Sequence, residues 1–204
     1  MSLADTELVV RTIADTAIEN EKYFGDLDSV VGDGDFGYSL ARGFEKLLEG
    51  WDDLDRTDAG TFLKRTGMVI ASRIGGTSGP LWGTAFMRAG GAVAGATDLS
   101  HEQVVAMLRA AIEGIKARGQ SDVGDKTLLD ALVPFTDALE AGTITEAAAA
   151  ARAAADATSG MVAKRGRAAY TGERSRGSVD AGATAVAVIA ERISEIWQKQ
   201  GASS

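Results

Sequence analysis

The chain has 204 residues, 45% apolar and 25% charged, with a net charge of −8. This balance excludes a disordered chain and permits one ordinary core, while the acidic sign argues against nucleic-acid or anionic-membrane binding. Without cysteine and with one histidine, His101, there are no disulfides, thiolate zinc sites, cysteine nucleophiles or His-rich metal centres. Thirty-six alanines and 25 glycines against two prolines favour helices that pack closely.

The expected elements are all helical. The first covers 3–22, with Val10, Ile13, Ala14 and Ala17 on one face, and the second covers 38–49, with Leu40, Phe44, Leu47 and Leu48 inward. The third runs over 58–74, and the fourth over 80–96 with Pro80 at its first helical position. Ser100 and Gln103 form a capping box that opens the fifth. The sixth covers 127–141 and carries Pro134 as a kink. Thr143 and Glu146 form a second capping box opening the seventh, which runs to Val162; the last helix spans 182–199, with Val186, Ile189, Ile193, Ile196 and Trp197 buried. Trp51, Trp82 and the methionines also fall at core spacing. No linker or repeat divides the chain, so 1–204 reads as a single domain: an all-α barrel or bundle of eight antiparallel, up-down helices. No apolar run reaches the roughly 18 residues of a membrane span. The segment Met1 to Glu7 lacks the basic start of a signal peptide, so a cytoplasmic protein is expected.

Four connections are Gly-rich and polar: 25–37, 75–79, 119–126 and 165–182. They follow helices one, three, five and seven, so in an up-down bundle they share one rim, where the site is expected. The first holds Asp28, Asp33 and Asp35 among glycines. Such carboxylates are either splayed into water or gathered round a hard cation such as Mg²⁺, Mn²⁺ or Ca²⁺. An EF-hand fails, because counting Asp33 as position 1 puts Phe44 at position 12. A dinucleotide fingerprint at Gly32, Gly34 and Gly37 lacks its βαβ context. Gly75-Gly76-Thr77-Ser78-Gly79-Pro80 runs into a helix start and offers N–H groups to an anion, or is a capped turn. Gly124-Asp125-Lys126-Thr127 by itself reads as a turn with Asp125 capping the sixth helix. Lys164, Arg165, Arg167, Arg174 and Arg176 place five of 21 basic residues within 13 positions, which suits phosphate or an acidic partner. Asp180 with Gly182 fits the start of the last helix. His101 reads as a surface residue, and no protein nucleophile or Ser-His-Asp set can be assembled, so no catalytic side chain is assigned.

Taken together, Leu27-Asp28, Gly32-Asp33-Gly34-Asp35, Arg42-Gly43-Phe44, Gly75 to Leu81, Gly124 to Thr127, and Gly166 to Ser175 resemble the L subunit of dihydroxyacetone kinase, the DhaL or Dak2-domain family, across essentially the whole chain and in the family's order. The resemblance implies eight antiparallel helices with nucleotide phosphates at one end. It implies two Mg²⁺ held by Asp28, Asp33 and Asp35. It also implies ADP or ATP contacts at Phe36, Gly37, Tyr38, Ser39, Thr77, Ser78, Gly119, Leu128, Arg167, Asp180, Ala181 and Gly182. The implied partners are a K-type subunit holding dihydroxyacetone and, in the phosphotransferase-dependent branch, a phosphohistidine carrier subunit that reloads bound ADP. Phe36 and Ser39 stand where family members often carry His and Asn, and Asp180-Ala181-Gly182 replaces an Asp-Pro-Gly sequence; the donor branch and the ketose therefore stay open. Other open readings are an ATP-dependent subunit acting on another short ketose, a nucleotide-sensing module that binds a transcription regulator or enzyme, and an acidic helical domain without a ligand.

Overall fold

The computed structural model describes residues 1–201. They form nine α-helices and no β-strand among the described residues; Ser2 and Asp98 share an isolated bridge. No helix there is long and apolar enough to cross a membrane. The helices are α1 (Leu3–Glu19), α2 (Glu21–Ser29), α3 (Phe36–Glu49), α4 (Ala59–Arg73), α5 (Ser78–Ala92), α6 (His101–Gly119), α7 (Leu129–Ala141), α8 (Ile144–Ala157) and α9 (Ala181–Gly201). Short 3₁₀ turns occupy Trp51–Asp53, Thr158–Gly160 and Arg167–Ser175.

The eight expected helices each have a counterpart, and α2 is the ninth. It lies partly within the expected first loop, because Asn20 ends α1 by donating its side-chain Nδ2 to the Thr16 carbonyl at 2.8 Å and Phe24 is fully buried. That burial outweighs the poor helix propensity of Gly25 and its acidic neighbours. Both expected capping boxes form, at Ser100/Gln103 and Thr143/Glu146, and Asp58 caps α4 through the Thr61 amide. Several helix ends differ from expectation by a few residues, and three differences have a local cause. α5 starts at Ser78, so Pro80 sits in its first turn, where a missing N–H costs nothing. α8 stops at Ala157, where the buried Thr158 hydroxyl donates back to the Ala155 carbonyl. Asp125 does not cap α7; the buried Asp130 carboxylate accepts the Thr127 amide at 2.7 Å and the Gly124 amide at 2.6 Å instead.

The chain forms two compact units. One comprises Met1–Glu21 and Phe36–Ser121, with α1 packed on α3, α3 on α4, α4 on α5 and α5 on α6. Its α4–α5 crossing is made of backbone. A Cβ on Gly60 would lie 2.7 Å from the Gly90 carbonyl oxygen, and one on Gly67 2.7 Å from that of Gly83. The aromatic pairs Phe44–Trp82 and Trp51–Phe62 meet edge to face at 6.2 and 5.5 Å. The other unit comprises Lys22–Asp35 and the chain from Asp122 onward. In it α7, α8 and α9 pack through buried alanines, among them Ala147, Ala151, Ala183 and Ala187, and Arg152 of α8 grips Glu191 of α9 with two hydrogen bonds of 2.7 Å. Val186 and Ile189 are buried as expected, whereas Ile193, Ile196 and Trp197 are only half-buried and Met68 is exposed. They ride the rim of a helix face rather than its centre.

Candidate functional site

In the second unit the last turn of α2 delivers Asp28, and the chain then folds back on it. The Gly32 amide donates to the Asp28 carbonyl at 2.6 Å, and Gly34 takes a φ of 77°, a left-handed conformation that glycine adopts without strain. This turn brings carboxylate oxygens of Asp28, Asp33 and Asp35 within 4.8 Å of one another. At that spacing two carboxylates repel by about 0.9 kcal/mol even at the dielectric of water. Positive charge placed among them relieves this repulsion. Part of that charge comes from Arg167, whose guanidinium pairs with Asp33 and, at 3.1 Å, with Asp35.

The set also fits a hard divalent cation. All donors are oxygen, Asp33 and Asp35 face solvent so that water can complete a coordination shell, and Asp28 is cradled against Gly32, where a Cβ would lie 2.9 Å from its Cγ. The structure thus brings together the three expected metal residues and the expected phosphate arginine.

Within the cationic segment Arg167 opens the 3₁₀ turns, after Gly166 at a φ of 65°, and a second left-handed glycine, Gly172 (φ 55°), breaks them. Lys164 and Arg165 pair with Asp125, each at 3.4 Å. Although burial pushes the other way, the Asp122 amide and Lys164 hold the Asp125 carboxyl below its ordinary value. Arg176 leans back on the Gly160 carbonyl and Glu173, whereas Tyr170 is 90% exposed. Nearby, Asp180 caps α9: its carboxylate accepts the Ala183 amide at 2.7 Å, and its own amide donates to the Thr158 hydroxyl. Part of the residue reaches solvent, but its carboxyl is desolvated. Burial, with Asp130 adding, pushes it from 3.8 up to about 7. Leu128 lies beside Gly182, since a Cβ on the glycine would be 3.4 Å from that of Leu128, so the starts of α7 and α9 adjoin.

In the first unit, Phe36, Gly37, Tyr38 and Ser39 form the first turn of α3. The Ser39 hydroxyl lies 3.5 Å from where a Cβ on Gly75 would be. Thr77 and Ser78 open α5 without a side-chain cap, and Gly119 ends α6 against Leu81 of α5's first turn. Two helix N-termini and one C-terminus are thereby grouped, with exposed Gly75 and Gly76 between them. Uncapped N–H groups there can receive an anion.

Sequence reasoning missed a buried polar knot in the second unit: Lys126, Asp130 and Ser175. One signal was present, since Thr127-Leu128-Leu129-Asp130 has capping-box spacing. Nothing local marked Lys126 as buried.

Residues 30–195 match the DAK2 domain. The chain belongs to the DAK2 domain family. Among curated DAK2 relatives it is 38% identical to the PEP-dependent dihydroxyacetone kinase, ADP-binding subunit DhaL, of Escherichia coli, covering 91% of this chain and 94% of that one. It is also 38% identical to the L-erythrulose 1-kinase of Mycolicibacterium smegmatis, over 92% of this chain but 34% of that longer protein. The dihydroxyacetone kinase of C. freundii superposes with a TM-score of 0.78 at 26% identity, covering 95% of this chain and 34% of that chain, and its complex with AMP-PNP and Mg²⁺ gives 0.77. The fold is therefore the all-helical one of a DAK2 domain.

Proposed function

We propose that this DAK2 chain is the nucleotide-binding subunit of a dihydroxyacetone-type kinase of the cytoplasm. In this role it transfers a phosphoryl group from bound nucleotide to a short ketose held on a separate K-type subunit. The observation that carries the reading is the grouping of Asp28, Asp33 and Asp35 on one turn, with Arg167 of the cationic segment paired to it. Asp28, Asp33 and Asp35 hold two Mg²⁺, which when bound neutralise phosphate charge and orient the transferred group. Arg167 adds a guanidinium for phosphate oxygens. Further nucleotide contacts are assigned to Phe36 through Ser39, Thr77, Ser78, Gly119, Leu128 and Asp180 through Gly182, several through backbone N–H groups. Residues 1–204 serve together as one nucleotide-binding domain.

The naming of the E. coli relative supports ADP as a resident coenzyme, reloaded by a phosphocarrier partner. The likeness to L-erythrulose 1-kinase supports a second reading, in which ATP is the donor and a four-carbon ketose the acceptor. The experiment is to denature the purified protein, identify released nucleotide, and then assay phosphorylation of dihydroxyacetone and erythrulose with and without a K-type subunit. Retained ADP, with no turnover until subunit and carrier are added, is expected. An empty site that turns over ATP with the subunit selects the second reading. Robust turnover by the single chain, or no Mg²⁺-dependent nucleotide binding at all, sinks both.

A further inference from the structure

Lys126 is the motif residue that the proposed chemistry leaves without a task. It sits in the turn between Asp122 and Leu128 with a φ of 62°, a conformation that side-chain-bearing residues seldom adopt, and it is only 2% exposed. Burying a lysine is costly unless the ammonium is fully used. Here it is. Nζ donates to the carbonyls of Ser175, Ser178 (2.6 Å) and Met161 (3.3 Å), so three donors meet three acceptors.

The position of those acceptors matters more than their number. Met161 lies just before the cationic segment, and Ser175 and Ser178 lie at its exit. One side chain therefore clasps both ends of a loop whose middle carries Arg167. Neighbouring bonds follow the same plan. The buried Ser175 hydroxyl accepts the Ala163 amide at 2.8 Å and donates to the Gly172 carbonyl at 2.6 Å. The Lys164 amide donates to the Asp125 carbonyl at 3.1 Å, tying the loop to the same turn. The turn is itself held by Asp130, which accepts two of its amides. A closed loop base reduces the conformations open to its tip, and the tip here places a guanidinium on two carboxylates.

Resting on the metal-and-phosphate reading above, we propose that Lys126 is a positioning residue for nucleotide binding: its ammonium closes the base of the 162–177 loop and thereby fixes Arg167 beside Asp33 and Asp35. An apolar residue of equal length fills the space but takes the ammonium from all three carbonyls, leaving that of Ser175 only the Ser178 hydroxyl at 3.2 Å, so the loop must open to water to satisfy the others.

The test compares wild type, Lys126→Met, Arg167→Ala and the double variant. Hydrogen exchange of amides in 162–177 is followed against those of α7 to α9, and Mg²⁺-ADP affinity is measured by calorimetry. Lys126→Met should speed exchange in the loop by about tenfold or more while the helices keep their protection. It should also weaken Mg²⁺-ADP by about tenfold, and the double variant should be no weaker than Arg167→Ala alone, because both changes remove the same contact. A purely structural lysine would instead give additive losses. Additive losses, unchanged loop exchange or unchanged affinity each overturn the proposal. Should Lys126→Met fail to fold, Lys126→Gln, which keeps two donors on a neutral head, carries the same comparison with partial effects. Wild type that does not bind Mg²⁺-ADP refutes the functional reading itself, and with it the role of Lys126; wild type that binds while Lys126→Met matches it refutes the role alone.

Discussion

Replacing Gly32 by alanine should weaken metal binding without removing a single ligand. A Cβ there would lie 2.9 Å from the Asp28 carbonyl oxygen and 2.9 Å from Cγ, and closer still to Oδ1. The carbonyl is held by its 2.6 Å bond from the Gly32 amide, so the carboxylate is the part that gives way. An ion centred among oxygens within 4.8 Å of one another is at most about 2.8 Å from each. Moving one carboxylate out to about 6 Å costs a divalent ion about 1.6 kcal/mol of attraction even at the dielectric of water. A loss between about tenfold and a hundredfold is expected, the range found when groups that orient metal ligands are changed. The assay is Mg²⁺ titration at fixed ADP by calorimetry, with Mn²⁺ titration by electron paramagnetic resonance as a second readout. Gly91→Ala serves as the control, since a Cβ there meets nothing within 4 Å. Stability without metal should stay within about 1 kcal/mol, because displacing Asp28 also relieves repulsion. Metal affinity within twofold of wild type, in a folded variant, would refute the assignment of Asp28 as a ligand.

Three further outcomes follow from the same geometry. Asp33→Ala or Asp35→Ala should abolish Mg²⁺-dependent nucleotide binding while the helical circular dichroism signal and the melting temperature of the metal-free protein hold or rise; a metal-free form that melts markedly earlier contradicts this. Asp180, raised from 3.8 to about 7, binds its proton more tightly folded than unfolded. Its contribution is therefore complete below about pH 4 and is lost as pH rises through 7, at up to about 1.4 kcal/mol per pH unit. Urea midpoints should fall between pH 5 and 7.5 and flatten in Asp180→Asn, and an equal slope in both proteins counts against the desolvated carboxyl. Gly90→Ala should destabilise by about 1–3 kcal/mol, since its Cβ would meet the Lys64 amide nitrogen at 2.9 Å and the Gly60 carbonyl closer still; chemical denaturation checks it, and a neutral change means the α4–α5 crossing can part.

What could be read before the structure was local. Ser100 with Gln103 and Thr143 with Glu146 announce their helices because a capping box is written within four residues. The three aspartates were legible as a group, whereas the guanidinium that offsets part of their charge belongs to Arg167, more than 130 positions away in sequence. The misses share one cause. α2 depends on the burial of Phe24, the α7 cap passes from Asp125 to Asp130 because the turn doubles back, and Lys126 looks like any solvated lysine until three carbonyls close round it. Each is settled by a tertiary contact that spacing along the chain does not encode.

The pairing of Arg167 with Asp33 and Asp35 also has a kinetic side. Guanidinium and carboxylates are each about half exposed, 55% against 46% and 50%. Exposed side chains reorient within picoseconds to nanoseconds, whereas Mg²⁺ gives up its waters reluctantly. The arginine therefore adds no waiting time to metal entry. What it changes is the pull felt at long range, because a cation approaching from solution meets one net negative charge fewer. That difference fades as ionic strength rises and the Debye length shrinks towards about 8 Å at physiological salt. Metal association in dilute buffer should then be slower in wild type than in a chain without the guanidinium, with the two rates converging as salt is added.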